Sequence, residues 1–266
     1  MSETYDTKHM EKNINGFAYK TVLVTGSNGF FGSWMTNALT GKCVLISANR
    51  MSLQLCLMER KYDYIFHFAP TPIEPIIECA KRSNAKILYA SSGAVYGGIQ
   101  EKVTEEHPTN PITDYGFEKL RSENILKKSG LDFCIARLFT FCGTGMKNNF
   151  AITKFVEAVK TGNPLMVYGN PTRTYMYVVD AIEWLCKLML SENGVYNVGS
   201  EKETTIRDLA KRVSTYKIPN AEVLLSSKEF IQNANYYVPD CSKAHELGLE
   251  QYFSLSYGIE RMIDNA

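Results

Sequence analysis

The 266-residue chain is long enough for one large or two closely joined domains, and its 45% hydrophobic and 21% charged content is that of a soluble globular protein. Lys plus Arg number 29 against 28 Asp plus Glu, a balance that predicts neither a nucleic-acid partner nor a polybasic membrane contact. No apolar run is long enough to span a bilayer, and seven cysteines (43, 56, 79, 134, 142, 186 and 241) stand without C-x-x-C spacing. Core thiols in a reducing cytoplasm are therefore expected, with no disulfide and no metal site.

Residues 1–16 (MSETYDTKHMEKNING) are polar and aperiodic and predict a loose N-terminal tail. From Lys20 the text alternates between strand and helix. Thr21–Thr25 reads as a buried strand, followed by a glycine-rich turn and an amphipathic helix through about Thr40. Cys43–Ala48 and Asp63–Phe68 read as the next two strands, with room for a helix between them, and Pro75–Arg82 as a short helix. Lys86–Ala90 is a fourth strand, Tyr115–Lys128 a helix and Asp132–Arg137 a fifth strand. Past Arg137 the alternation loosens. A helix is expected over Asn149–Lys160, a strand over Leu165–Tyr168, a return to strand and helix over Tyr175–Met189, a strand at Val195–Val198, a helix over Ile206–Tyr216 and a mixed tail over 220–266. The pattern predicts an α/β fold, a doubly wound parallel sheet with helices on both faces. His67, inside an apolar strand, reads as a packed core histidine.

Two stretches carry chemistry. Gly26, Gly29 and Gly32 stand directly between a strand and a helix, where a phosphate-binding turn needs a tight backbone and helix-terminal N–H groups. Further on, Lys86–Lys119 brings two serines, Ser91 and Ser92, to the end of a strand and then opens a helix with Tyr115 and Lys119. Positions i and i+4 share a helix face, so phenol and ammonium project side by side. A nearby positive charge favours the phenolate, and a hydroxyl alongside can steer a proton to or from a substrate oxygen. That is alcohol/ketone chemistry, and it needs a hydride carrier.

These motifs resemble the extended short-chain dehydrogenase/reductases, the nucleotide-sugar epimerase/dehydratase group. Gly26-x-x-Gly29-x-x-Gly32 is similar to their TGxxGxxG loop, Tyr115-x-x-x-Lys119 to their catalytic pair, and Ser91-Ser92-Gly-Ala-Val95-Tyr96-Gly97 to their Ser-Ser-x-x-Val-Tyr-Gly run. Weaker likenesses continue at Asp63–Ala69, Arg137–Gly143, Arg173–Asp180, Tyr196–Gly199 and Asp240–Ala244.

The resemblance implies a Rossmann-type domain over 17–140 plus 175–198, and a small C-terminal substrate-binding subdomain over 141–174 plus 199–266. It implies Tyr115 as general acid/base, Lys119 on the nicotinamide ribose and Ser92 on the reacting oxygen. Cofactor contacts are expected at Gly26, Asn28, Gly29, Phe30, Phe31, Gly32, Asn49, Arg50, Phe68, Ala69, Ala90, Tyr115 and Lys119. A nucleotide-activated sugar is expected at Ser92, Asn149, Tyr168, Arg173, Tyr237 and Asp240. Three of these have plainer readings: Arg173 as a surface ion pair, Asn149 as a helix N-cap, and Tyr168 as core.

Departures from the family pattern shape the expectation. The second strand ends in Ala48-Asn49-Arg50 without the acid that holds the adenine ribose hydroxyls; a neutral pocket beside an Arg leans slightly from NAD towards NADP. Thirteen residues between Asn49 and Asp63 leave no space for a further edge strand, so the sheet should be shortened on the adenine side. The short 70–83 segment trims a helix used in the family's dimer, which leaves a homodimer open. Gly93-Ala94 replaces the Asp-Glu of 4,6-dehydratases, Tyr237 replaces a common Arg, and Thr140 a common Asn. The expected function is an NAD(P)-dependent nucleotide-sugar epimerase or 4-keto-sugar reductase. The alternative is a non-catalytic dinucleotide sensor or scaffold on the same fold.

Overall fold

The structure, a computed structural model, describes residues 11–98, 100–147, 149–217, 223–225 and 236–264. In chain order the first half forms α1 (Glu11–Asn15), β1 (Thr21–Thr25), α2 (Phe30–Leu39), β2 (Val44–Ala48), α3 (Leu53–Glu59), β3 (Tyr64–His67), α4 (Glu74–Lys81) and β4 (Lys86–Ser92). A 3-10 turn at Gly93–Tyr96 leads to α5 (Asp114–Lys127), β5 (Phe133–Leu138), β6 (Phe141–Cys142), α6 (Ala151–Thr161), β7 (Leu165–Val167), β8 (Thr172–Thr174) and β9 (Met176–Tyr177). Then come α7 (Val178–Leu190), β10 (Gly194–Val198), β11 (Glu203–Thr205), α8 (Ile206–Lys217), β12 (Val223–Leu225), α9 (Ser242–His245) and α10 (Leu255–Asp264).

Six strands form one sheet in the order β10-β5-β4-β3-β1-β2, and β1 pairs in parallel with both β2 and β3, as β3 does with β4. From β1 the chain steps outward to β2, then returns to β3 on the other side of β1. That reversal is the topological switch point of a Rossmann-type sheet, and the crevice above the strand ends there is where such sheets receive ligands. β2 is an edge strand and Val44 is half-exposed on it, as the short Asn49–Asp63 interval foretold; α3 fills that interval.

Contacts group the chain into two compact units. One runs to Ser92 and adds Phe117–Arg137 and Ala181–Tyr196; the other comprises Gly93–Gly116, Leu138–Asp180 and the chain from Asn197 on. In the first, buried Leu23, Ile65, Ile87 and Ile135 from four neighbouring strands pack with Ile73, Ile76 and Ile77 at the α4 segment and Leu126 of α5. Helix α7 contributes the fully buried Trp184, Leu185 and Leu188 to the same unit. In the second, α6, α8 and α10 bury Phe155 and Val159, Leu209 and Val213, and Ile259 and Met262. Lys160 caps this group by donating to the Met262 carbonyl at 3.0 Å.

Three details depart from the sequence expectation. Residues 1–10 of the expected loose tail lie outside the described residues, but Glu11–Asn15 are helical. The reason is apolar anchoring: Ile14 and Phe17 are buried, and the Phe17 ring lies 5.3 Å from Tyr64 and 5.7 Å from Phe66. Strand β4 runs two residues past Ala90, so Ser91 and Ser92 are strand residues. The loop Gly93–Gly116, grouped with the sheet domain by sequence, goes with the second unit, where Val103 accepts from the Asp240 N–H at 2.9 Å and bridges Pro239.

All seven cysteines carry free thiols, five of them buried. Among the described residues no helix is long and apolar enough to cross a membrane, and no group of three or more His, Cys, Asp or Glu side chains could hold a metal ion.

Candidate active site

In the first unit, the residues expected to meet a cofactor follow the C-terminal ends of adjacent parallel strands: Gly26–Gly32 after β1, Asn49–Arg50 after β2, Phe68–Ala69 after β3 and Ala90–Ser92 at the end of β4. The glycines are required by geometry. Gly26 has φ +69°, and a Cβ there would lie 2.8 Å from the Ala69 nitrogen; a Cβ on Gly32 would run into the Gly26 carbonyl. The turn folds back through a Gly29 N–H to Gly26 carbonyl bond of 2.8 Å, so α2 starts directly after the strand end with Gly29 as its N-cap. Such a cradle fits a pyrophosphate. Asn28 and Gly29 are exposed, Phe30 and Phe31 are half-buried, and Phe31 stacks on Phe68 at 6.0 Å. Asn49 is occupied locally: its Oδ1 accepts the N–H groups of Met51 (2.9 Å) and Ser52 (3.2 Å) at the start of α3. Arg50 beside it is exposed.

Tyr115 and Lys119 lie one turn apart on α5, the tyrosine 56% exposed. Lys119 turns inward. Its Nζ donates to the Ala90 carbonyl at 2.6 Å and sits 4.8 Å from the centre of the Tyr89 ring. Burial pushes its pKa down to about 8, against the pull of Glu123, which raises it. The residue before Ser92 is committed elsewhere: Ser91 Oγ donates to Glu123 Oε1 at 2.6 Å. Glu123 also takes Arg137 Nε (3.1 Å) and Nη2 (2.8 Å), an ion pair wholly inside the unit. Ser92 itself is 8% exposed at the end of β4.

His67 is fully buried, as its apolar strand indicated, with Nδ1 2.8 Å from Thr25 Oγ1 and its ring stacked on Tyr89 at 5.8 Å. Burial and then the Lys119 charge depress its pKa to about 4, so it is a neutral neighbour of Lys119 at physiological pH.

In the second unit two of the expected substrate residues come together. The Arg173 guanidinium lies over the Tyr237 ring at 5.9 Å, and that ring packs on Phe139 at 4.7 Å. The Tyr237 hydroxyl also faces Gly93, whose Cβ position is 2.5 Å from it, so a side chain after Ser92 would have to displace the Tyr237 and Phe139 rings. Arg173 makes a 2.8 Å bond to the Thr172 carbonyl, and burial holds it below its usual range. Tyr168 is half-exposed at the end of β7 rather than core. Asn149 is exposed and precedes the N-cap of α6, Phe150, whose own N–H donates to Thr153 Oγ1 at 3.2 Å. Asp240 is engaged at the start of α9, its Oδ1 accepting the Ser242 N–H at 2.9 Å, and hydrogen bonds from the Ser242 side chain and backbone lower its pKa.

The two C-terminal signatures meet in a buried knot that sequence did not foretell. Asn197 accepts from Tyr96 Oη (2.7 Å), and its amide donates to the carbonyls of Val103 (2.8 Å) and Asp240 (3.0 Å). Its backbone N–H goes to Glu105 at 2.6 Å. Glu123 was also missed, although Lys119-x-x-x-Glu123 repeats the spacing of Tyr115-x-x-x-Lys119 and so marks the same helix face.

A family model described as the NAD dependent epimerase/dehydratase family matches residues 73–199. The UDP-glucuronic acid decarboxylase 2 of Arabidopsis thaliana is 32% identical over an alignment of 306 positions, which covers 91% of this chain and 67% of the relative. The UDP-glucose 4-epimerase of Thermotoga maritima, solved with UDP-glucose, superposes with a TM-score of 0.82 at 21% identity, over 92% of this chain and 97% of that one. RMD from Pseudomonas aeruginosa, solved with NADPH, gives 0.78 at 20% identity, over 92% and 97%. At these identities the two structures establish the fold, and the plant relative establishes kinship.

Proposed function

The chain belongs to the NAD-dependent epimerase/dehydratase family, and on that premise we propose that it acts with NAD or NADP on a nucleotide-activated sugar, either epimerising one carbon or reducing a 4-keto group. One observation carries the reading above the others. Tyr115 and Lys119 stand one turn apart on α5, and the Lys119 ammonium is seated on the Ala90 carbonyl, at the C-terminal end of the strand that finishes in Ser92.

The glycine cradle between β1 and α2, with Phe68, Ala69 and Ala90, would hold the dinucleotide, which when bound supplies the hydride carrier. Lys119 would meet its ribose hydroxyls and favour the phenolate of Tyr115. Tyr115 would then take or return the proton at the reacting sugar oxygen, with Ser92 donating a hydrogen bond to that oxygen. Arg173 is proposed for the nucleotide's phosphates, which a planar guanidinium grips with two parallel bonds. Tyr237 lies beside Arg173 and packs over Gly93, and with glycine after Ser92 no carboxylate stands there, which speaks against water elimination. Tyr168 and Asn149, both exposed, remain candidate contacts for base and diphosphate, whereas Asp240 is assigned to anchoring α9. NADP is favoured on one ground: no acid stands at the end of β2, and Arg50 is free to face solvent there.

The test is turnover of UDP-, dTDP- and GDP-sugars and their 4-keto forms with NAD or NADPH, followed by NMR, in wild type and Tyr115→Phe. Losing the proton-transfer group should slow conversion on the order of 100-fold or more while dinucleotide binding persists. Conversion at the wild-type rate by the phenylalanine variant would refute the role of Tyr115.

A further inference from the structure

We propose that Glu123 is a positioning residue for the helix that carries Tyr115 and Lys119: it fastens α5 to the end of β4 and supplies the buried negative charge beside which Lys119 is held. The proposal rests on the functional reading above for the importance of Lys119, and on geometry for the rest.

Lys119, Glu123 and Lys127 follow at intervals of four, on the face of α5 turned to the sheet. Two consecutive turns of the helix are pinned to two consecutive residues of β4. Lys119 reaches the Ala90 carbonyl at 2.6 Å, and Glu123 receives the Ser91 hydroxyl at 2.6 Å. A single pin would leave the helix free to pivot; two, one turn apart, fix its height and its rotation together. Glu123 is then tied to the next strand by both bonds from Arg137, and Lys127 covers its second oxygen at 3.4 Å. The carboxylate has 0% exposure and Arg137 3%, so both charges depend on this set of partners. The short bond from Ser91 is of the charge-assisted kind, whose geometry is tightly set. Ser92, the next residue on the strand, inherits its position from that bond.

The same carboxylate acts on Lys119 electrostatically. The Ala90 carbonyl and the Tyr89 ring from β4, His67 from β3 and Glu123 from its own helix all act on the ammonium. Of these, Glu123 raises the Lys119 pKa and so works against the effect of burial.

The experiment measures binding of NADPH and of NADH to the full chain by fluorescence, from about pH 6 to 10, for wild type, Glu123→Gln and Glu123→Asp. In wild type the affinity should break near pH 8, where Lys119 loses its proton. In Glu123→Gln the break should move down by roughly one pH unit, and Glu123→Asp, which keeps the charge, should restore most of it. An unmoved break in a folded Glu123→Gln overturns the proposal. If that variant does not fold, the double change Glu123→Gln with Arg137→Gln removes both buried charges; it should show a smaller shift in the same direction, and no shift overturns the proposal. If wild type binds neither dinucleotide, the functional reading fails, and Glu123 is judged by the pH dependence of Lys119 reductive methylation, read by peptide mass spectrometry without any dinucleotide. The same downward shift supports it, and identical curves refute it.

Discussion

His67 shows how a single side chain couples the interior of the first unit to pH. Its imidazole is fully buried between Thr25 and Tyr89, and its pKa falls to about 4 from the ordinary 6.5. The unfolded chain therefore binds a proton in the range from about 6.5 to 4 that the folded chain refuses. Stability from this site is complete above pH 6.5 and is lost as the pH falls towards 4, by about 3 kcal/mol in all. Urea unfolding of wild type and His67→Asn across that range should show a flatter acid limb in the variant; parallel curves would mean that the imidazole is not excluded from protonation. At this scale the sequence was partly legible. The spacing of Tyr115 and Lys119 pointed to chemistry only in the company of Ser91-Ser92 and the glycine turn, while the burial of His67 could be read from its apolar surroundings. Glu123 could not be told from a surface glutamate, because its burial is decided by Arg137 and Ser91, which come from two different strands. Tyr237 was read as a substitution for arginine, and only the fold set it against Gly93 and beneath Arg173.

Among elements, the start of α7 carries a second titrating group with the opposite sign. Asp180 is fully buried, accepts the N–H groups of Tyr252 (3.2 Å) and Phe253 (3.0 Å), and burial raises its pKa from 3.8 to about 6. Here the folded state binds the proton more readily than the unfolded one. Its contribution is greatest below about pH 4 and declines as the pH rises through 6. Asp180→Asn should therefore gain on wild type by up to about 3 kcal/mol between pH 4 and 7, on top of any fixed cost from the lost second acceptor. A difference that stays constant with pH would show that Asp180 is ionised in both states alike. The long elements were plain in the text because β1, β3, β4 and β5 each hold an apolar run of three or four residues and α4 and α6 have clear periodicity. The short strands β6, β8, β9 and β11 were not, since two or three residues carry no period and owe their form to the neighbour they pair with. Helix α1 was hidden by its polar composition, which masked the buried Ile14 and the Phe17 that follows it.

For the whole molecule, strand order is the property that sequence alone could least supply. Alternation of strand and helix gave the parallel sheet, but β10-β5-β4-β3-β1-β2 is a tertiary arrangement, and it is this order that puts the glycine turn at the reversal beside β3. The trimmed adenine side follows from length: the Asn49–Asp63 interval holds α3 and no further strand, and β2 is left as the edge. A fold of this kind hosts more than one chemistry, so the account stands or falls on the cofactor. The most direct test is native mass spectrometry of the freshly purified chain, with bound small molecules released and identified, followed by titration with NADPH and NAD. The expected result is one nicotinamide dinucleotide per chain: NAD retained through purification for a self-recycling epimerase, or NADPH taken up on titration for a reductase. A chain that retains neither and binds neither would contradict the central claim.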